Sequence, residues 1–244
     1  MGVHNTEHVD YIKRSHDYFV FYFIADGLLS SHDQGLQMKS KGHVFVVDDD
    51  QDIRIHLGDV LKQLGYSVSD FGSALEFLKM ARQISPAVLL LDMRMPSMNG
   101  LDLQKNLTDM GWQLPVIYMS GESHNQEIID GMKGGAIDFL WKPFAHTQLV
   151  QAIDKGMSLD AHNSQENQRL QKVALLHQSL SLREKHIFAL MLLGHGNKAI
   201  AAKTGVMADT VKKQRAQVLA KMQVDSLADL LAFCKNFVPE NFPQ

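Results

Sequence analysis

At 244 residues the chain is long enough for one large domain or two ordinary ones, and 45% apolar content beside 21% charged residues excludes wholesale disorder. The single cysteine, Cys234, excludes an internal disulfide framework and points to a reducing compartment. The net charge of −3 hides an asymmetry: residues 1–159 carry 13 Lys and Arg against 20 Asp and Glu, a balance of −7, whereas residues 160–244 carry 11 against 7, a balance of +4.

An acidic front and a basic rear indicate two modules, the second suited to a polyanion. Residues 1–41 are an N-terminal extension without a fold assignment. Its apolar run, Tyr18 to Ile24, is far shorter than the roughly 20 residues needed to cross a bilayer. Acidic residues precede it and no convincing cleavage site follows, so the expectation is a cytoplasmic protein with no membrane partner.

From residue 42 the pattern alternates. Gly42 to Val47 is a strand that runs into Asp48-Asp49-Asp50. Ile53, Leu57, Val60, Leu61 and Leu64 recur at helical spacing, and Gly65 closes that helix. Tyr66–Phe71 is a second strand, and Ser73 caps a short helix. Ala87–Leu91 is a short apolar run of the kind found in buried parallel strands, and it delivers a single carboxylate, Asp92. Gly100–Met110 is a helix, Leu114–Met119 a strand, Ser123–Lys133 a helix, Ile137–Trp141 a strand and Thr147–Leu159 a helix. Five strands alternating with five helices imply an α/β doubly wound, five-stranded parallel sheet over 42–158. Residues 159–178 are polar and read as a linker, partly helical. Residues 179–237 show helical segments only, at Leu182–Leu193, Asn197–Thr204, Ala208–Met222 and Ser226–Phe237, which makes the rear an all-α four-helix module. Residues 238–244 are a tail expected to fray. Cys234 lies in an apolar pattern and reads as a packed, inert thiol.

The chemistry gathers at one edge. In a parallel sheet the carboxyl ends of the strands lie together, and there the chain places Asp48, Asp49, Asp92, Ser120 and Lys142. Three carboxylates in one cleft repel unless a cation sits among them, and hard oxygen donors favour Mg2+. Lys142 and Ser120 add partners for phosphoryl oxygens. Such a set suits phosphoryl transfer onto a carboxylate. Taken singly, each part has a plainer reading as a helix cap or a turn; Asp50 and Asp52 read as caps. Their shared edge argues against that reading for the others.

Residues 42–158 resemble the receiver domain of a two-component response regulator, through Val46-Val47-Asp48-Asp49, Leu91-Asp92-Met93-Arg94-Met95-Pro96, Met119-Ser120-Gly121 and Phe139-Leu140-Trp141-Lys142-Pro143-Phe144. The resemblance implies Asp92 as phosphoacceptor and a cognate histidine kinase as donor. It implies Mg2+ held by Asp49, Asp92 and the backbone carbonyl of Arg94, with Asp48 acting through water. Ser120 and Phe139 would be switch residues, and Lys142 would pair with the phosphoryl group. Arg94 and Glu122 stand where they would screen attacking water.

In the rear, two short helices flank Gly205, the pattern of a helix-turn-helix. Val211, Val218, Leu219 and Met222 form the inner face, while Lys212, Gln214 and Arg215 are expected to point outward. Charge alone would also fit a solvated basic face. The segments Leu180–Glu184, Gly196–Ala201 and Thr210–Arg215 resemble the LuxR-type output domain of the NarL/FixJ class. That resemblance implies double-stranded DNA as a partner, with Lys198, Thr210, Lys212, Lys213, Gln214 and Arg215 at the contact, and a last helix used for dimerisation. The combined expectation is a phosphorylation-dependent transcription regulator, a phosphoprotein that forms a homodimer when phosphorylated. It is not an enzyme beyond phosphorylating and dephosphorylating itself at Asp92. The alternative is a receiver serving as a phosphoryl sink or docking module, with an output domain that does not bind DNA.

Overall fold

The computed structural model describes residues 40–122 and 125–239. All but the last two residues of the N-terminal extension, including its apolar run, the first two residues of the helix predicted from Ser123, and most of the tail lie outside them. The chain divides into two compact units, with the boundary between His162 and Asn163.

The first unit follows the order β1 (His43–Val47), α1 (Gln51–Gln63), β2 (Ser67–Phe71), α2 (Ala74–Met80), β3 (Ala87–Asp92), α3 (Gly100–Asp109), β4 (Val116–Ser120), α4 (Asn125–Lys133), β5 (Asp138–Trp141) and the first part of α5 (His146–Gln178). All strand pairs are parallel and the sheet order is β2-β1-β3-β4-β5. The order reverses between β1 and β3, so the crevice at their carboxyl ends is the natural site of chemistry. Strand alternation sends Phe45, Val47, Leu89 and Leu91 into one core with α2 and α3. Val44, Val46, Val88 and Leu90 go into the other, with α1 and α5. Both faces are covered, which is why β3 reads as an unbroken apolar run.

Local chemistry sets the helix starts. Asp50 caps α1 by accepting from the N–H groups of Asp52 and Ile53, and Ser73 caps α2. Asn99 caps α3.

Helix α5 departs from expectation. It runs from His146 to Gln178, where the sequence pattern predicted an end at Leu159 followed by a partly helical linker. The stretch 160–178 contains no Pro or Gly to stop a helix. Its polar residues also find uses that periodicity does not reveal. The buried Asp160 carboxylate accepts from the backbone N–H of Ala87 at 3.0 Å, closing the start of the central strand. Asp160→Ala is therefore expected to lower the stability of this unit by about 1–3 kcal/mol, the penalty for leaving a buried N–H without a partner. Urea unfolding checks this.

In the second unit, the end of α5 packs with α6 (Leu182–Leu192), α7 (Asn197–Thr204), α8 (Ala208–Lys221) and α9 (Leu227–Phe233). Val173, Ile187, Phe188, Ile200, Val211, Val218, Leu230 and Cys234 share its core. Ser181 and Glu184 form a reciprocal capping box at the start of α6. Cys234 is buried, and burial pushes its thiol up to about 11, so it is a packing residue. Helix α9 stops at Phe233, short of the predicted Phe237, where the Arg169 guanidinium takes the carbonyls of Phe233 and Lys235.

Candidate functional site

At the carboxyl edge of the sheet, Asp48 ends β1, Asp92 ends β3, Ser120 ends β4 and Lys142 follows β5. The Lys142 ammonium lies 2.6 Å from an Asp48 oxygen and 2.7 Å from an Asp92 oxygen, joining residues 94 and 50 positions distant in sequence. Its own backbone N–H donates to the Ser120 carbonyl at 2.8 Å, which holds β5 against β4 where the lysine leaves the sheet. The backbone N–H of Arg94 donates to the second Asp92 oxygen at 2.9 Å. Gly100 closes the loop after β3. A Cβ there would come within 2.7 Å of the Asp92 carbonyl, so this approach admits only glycine.

The electrostatics follow from burial and count. Asp48 is 1% exposed and Asp92 8%. Burial raises both carboxyls above the ordinary carboxylate range, with Lys142 opposing the shift. Burial by itself lowers the Lys142 ammonium, but two adjacent carboxylates outweigh it and the direction is up. Two carboxylates share one ammonium, so the buried trio carries an excess negative charge and every member holds its proton more tightly. Asp49, the next residue, is exposed at the rim. Among the described residues, no group of three or more His, Cys, Asp or Glu is arranged to hold a metal ion.

Ser120 is buried, and its hydroxyl donates to the Glu122 carbonyl at 3.0 Å. Phe139 is half-buried against the core and meets Trp141 edge-on. The Arg94 side chain pairs with Glu127 of α4 at 3.3 Å. No sequence pattern announces this pairing, nor the bond from Arg54 to the Asp48 carbonyl at 2.7 Å that props the acidic loop from α1.

In the second unit, Gly205 takes the left-handed conformation (φ 68°) between α7 and α8, making the tight turn of a helix-turn-helix. Lys198, Thr210, Lys212 and Lys213 are exposed. The outward reading fails in part for the next two. Arg215 is half-buried and donates to the His195 carbonyl at 2.7 Å, so one arm of its fork braces the loop before α7. Gln214 is half-buried too, its amide oxygen buried without a hydrogen-bond partner. Helical spacing places both near the Val211–Val218 inner face. Among the described residues no helix is long and apolar enough to cross a membrane.

Comparisons with known proteins match both parts of the chain. The family model of the response regulator receiver domain matches residues 44–154, and that of the luxR family of bacterial regulatory proteins matches 178–234. Response regulator protein TmoT of Ectopseudomonas mendocina is 34% identical over 188 residues, 77% of this chain and 86% of that one. Transcriptional regulatory protein FixJ of Bradyrhizobium diazoefficiens is 32% identical over 194 residues, 80% of this chain and 95% of that one. The low-resolution structure of response regulator StyR matches with a TM-score of 0.70 at 36% identity, covering 81% of this chain and 100% of that one. The chain belongs to the response regulators: it is a two-component transcription regulator, with a receiver domain followed by a LuxR-type DNA-binding domain. An output domain unrelated to DNA is not favoured.

Proposed function

We propose that Asp92 is the carboxylate that takes up a phosphoryl group from a cognate histidine kinase, and that this controls the output domain. The observation that carries the reading is the Lys142 bridge between two buried carboxylates at the carboxyl edge of the sheet. Lys142 is positioned to follow an Asp92 oxygen onto the phosphoryl group. The Arg94 N–H holds the other oxygen and fixes the plane of the carboxylate. The domain limits proposed are 42–158 for the receiver, 159–178 for the connecting helical stretch and 179–237 for the output domain.

The donor set suits Mg2+. All the candidate ligands are hard oxygens, and the buried trio already carries more negative than positive charge. Asp49, Asp92 and the Arg94 carbonyl would hold the ion, with Asp48 acting through water. The ion would neutralise charge on the oxygens of the transferring group. Ser120 would turn from the Glu122 carbonyl to a phosphoryl oxygen, and Phe139 would follow into the space behind it. The phosphorylated receiver would pair through its α4–α5 face and set two readers on half-sites roughly 10 bp apart. Self-phosphorylation and autodephosphorylation at Asp92 would be its only catalysis, in the cytoplasm. Acetyl phosphate with Mg2+ is expected to yield a hydroxylamine-labile phosphoprotein; a chain that takes up no phosphate overturns the reading.

For the output domain, Lys198, Thr210, Lys212 and Lys213 are proposed as contacts to double-stranded DNA. Gln214 and Arg215 would also take part, Arg215 through the arm that His195 leaves unused. Lys212→Ala with Lys213→Ala is expected to weaken binding across all sequences and to reduce the salt slope by about 2, one for each lost phosphate contact. Fluorescence anisotropy over a salt series reads this.

A further inference from the structure

Strand β5 carries a feature that the proposed switch does not use. Phe139 and Trp141 are two residues apart on a strand, so they project from the same face of the sheet. Their neighbours on β4 are Tyr118, opposite Phe139, and Ser120, opposite Trp141. Tyr118 is fully buried and Phe139 half-buried, while Trp141 is 49% exposed. The rings of Phe139 and Trp141 meet edge to face, with centroids 4.9 Å apart and planes at 65°. That contact exists while the Ser120 hydroxyl is bonded to the Glu122 carbonyl, at the resting end of the proposed switch.

We propose that Trp141 is a positioning residue for the switch: its ring retains Phe139 in the resting rotamer, and so sets how much of the chain is switched before phosphorylation. This rests on the reading of Asp92, Ser120 and Phe139 above. Phe139 moves between staggered wells, and a change of well carries its ring away from Trp141. A contact made in one state only shifts the equilibrium by its own worth. For an edge-to-face aromatic pair that is about two- to tenfold in the equilibrium constant. Trp141 acts through Phe139 and does not touch the reacting group. Half of its surface is exposed, so truncation leaves both cores of the receiver intact.

The chain has two tryptophans, and Trp112 is stacked on Phe77 in the receiver core at 5.5 Å. In a Trp112→Phe chain, Trp141 is therefore the sole tryptophan reporter. Beryllofluoride with Mg2+, which mimics an acyl phosphate, is the probe. Emission from Trp141 is expected to move to the red as beryllofluoride saturates, because the Phe139 ring leaves it. By calorimetry, Trp141→Ala is expected to bind beryllofluoride about two- to tenfold more tightly than the wild-type chain, and Trp141→Phe, which retains a ring, to bind like wild type. Binding with no emission change, or equal affinity in Trp141→Ala and Trp141→Phe, overturns the role of Trp141 alone. No binding by the wild-type chain overturns the Asp92 reading together with it.

Discussion

Asp92→Asn is expected to yield no detectable phosphoprotein with acetyl phosphate and Mg2+, under conditions that phosphorylate the wild-type chain. The amide matches the carboxylate in shape but lacks the anionic oxygen that would attack phosphorus. Phosphate-affinity electrophoresis reads the result directly. Loss of the fold would not explain it. Removing one negative charge from a buried trio that carries an excess of them relieves repulsion, so the urea midpoint of Asp92→Asn should equal or exceed that of wild type at pH 7. The variant should also stay in its unphosphorylated oligomeric state by sedimentation, and bind promoter DNA no better than unphosphorylated wild type. Donor-dependent dimers of Asp92→Asn would place the control elsewhere.

The sheet was legible because its signals are local. β3 is buried on both faces and so reads as a plain apolar run, and Asp50 and Ser73 mark helix starts by residue type alone. The edge site was legible for a related reason. Parallel topology puts every strand's carboxyl end in one place, so Asp48, Asp92, Ser120 and Lys142 could be gathered before any distance was known. What stayed hidden depends on contacts across long sequence separations. Asp160 looks like a linker residue until the Ala87 N–H, 73 positions earlier, is found against it. Arg215 looks wholly outward until the His195 carbonyl takes one arm of its fork. Arg169 ends α9 from a helix 64 positions upstream. Periodicity ranks such residues as polar and therefore outward; only the fold reveals that their polar groups are spent, in whole or in part, inside.

Lys142→Met tests the buried trio from the other side. The methionine fills a comparable volume but leaves Asp48 and Asp92 facing each other, nearly dry and without a counterion. Breaking a buried pair in this way is expected to lower the receiver's stability by about 3–5 kcal/mol at pH 7. The pH dependence gives the sign. Both carboxyls are raised in the folded state, so folded chains bind more protons than unfolded ones in the window from the ordinary Asp value up to the raised one. Stability contributed by those protons is complete below that window and is lost as pH rises through it. Lys142→Met should steepen the loss, since the ammonium that opposed the shift is gone, and should approach wild type again at acid pH. Asp48→Asn combined with Lys142→Met should recover much of the stability at pH 7 without restoring normal phosphorylation, because the repulsion would be removed while the phosphoryl partner stays absent. A Lys142→Met chain within about 0.5 kcal/mol of wild type at pH 7, the range of ordinary surface substitutions, would mean that water solvates the carboxylates freely. The lysine could not then be the counterion on which the site depends.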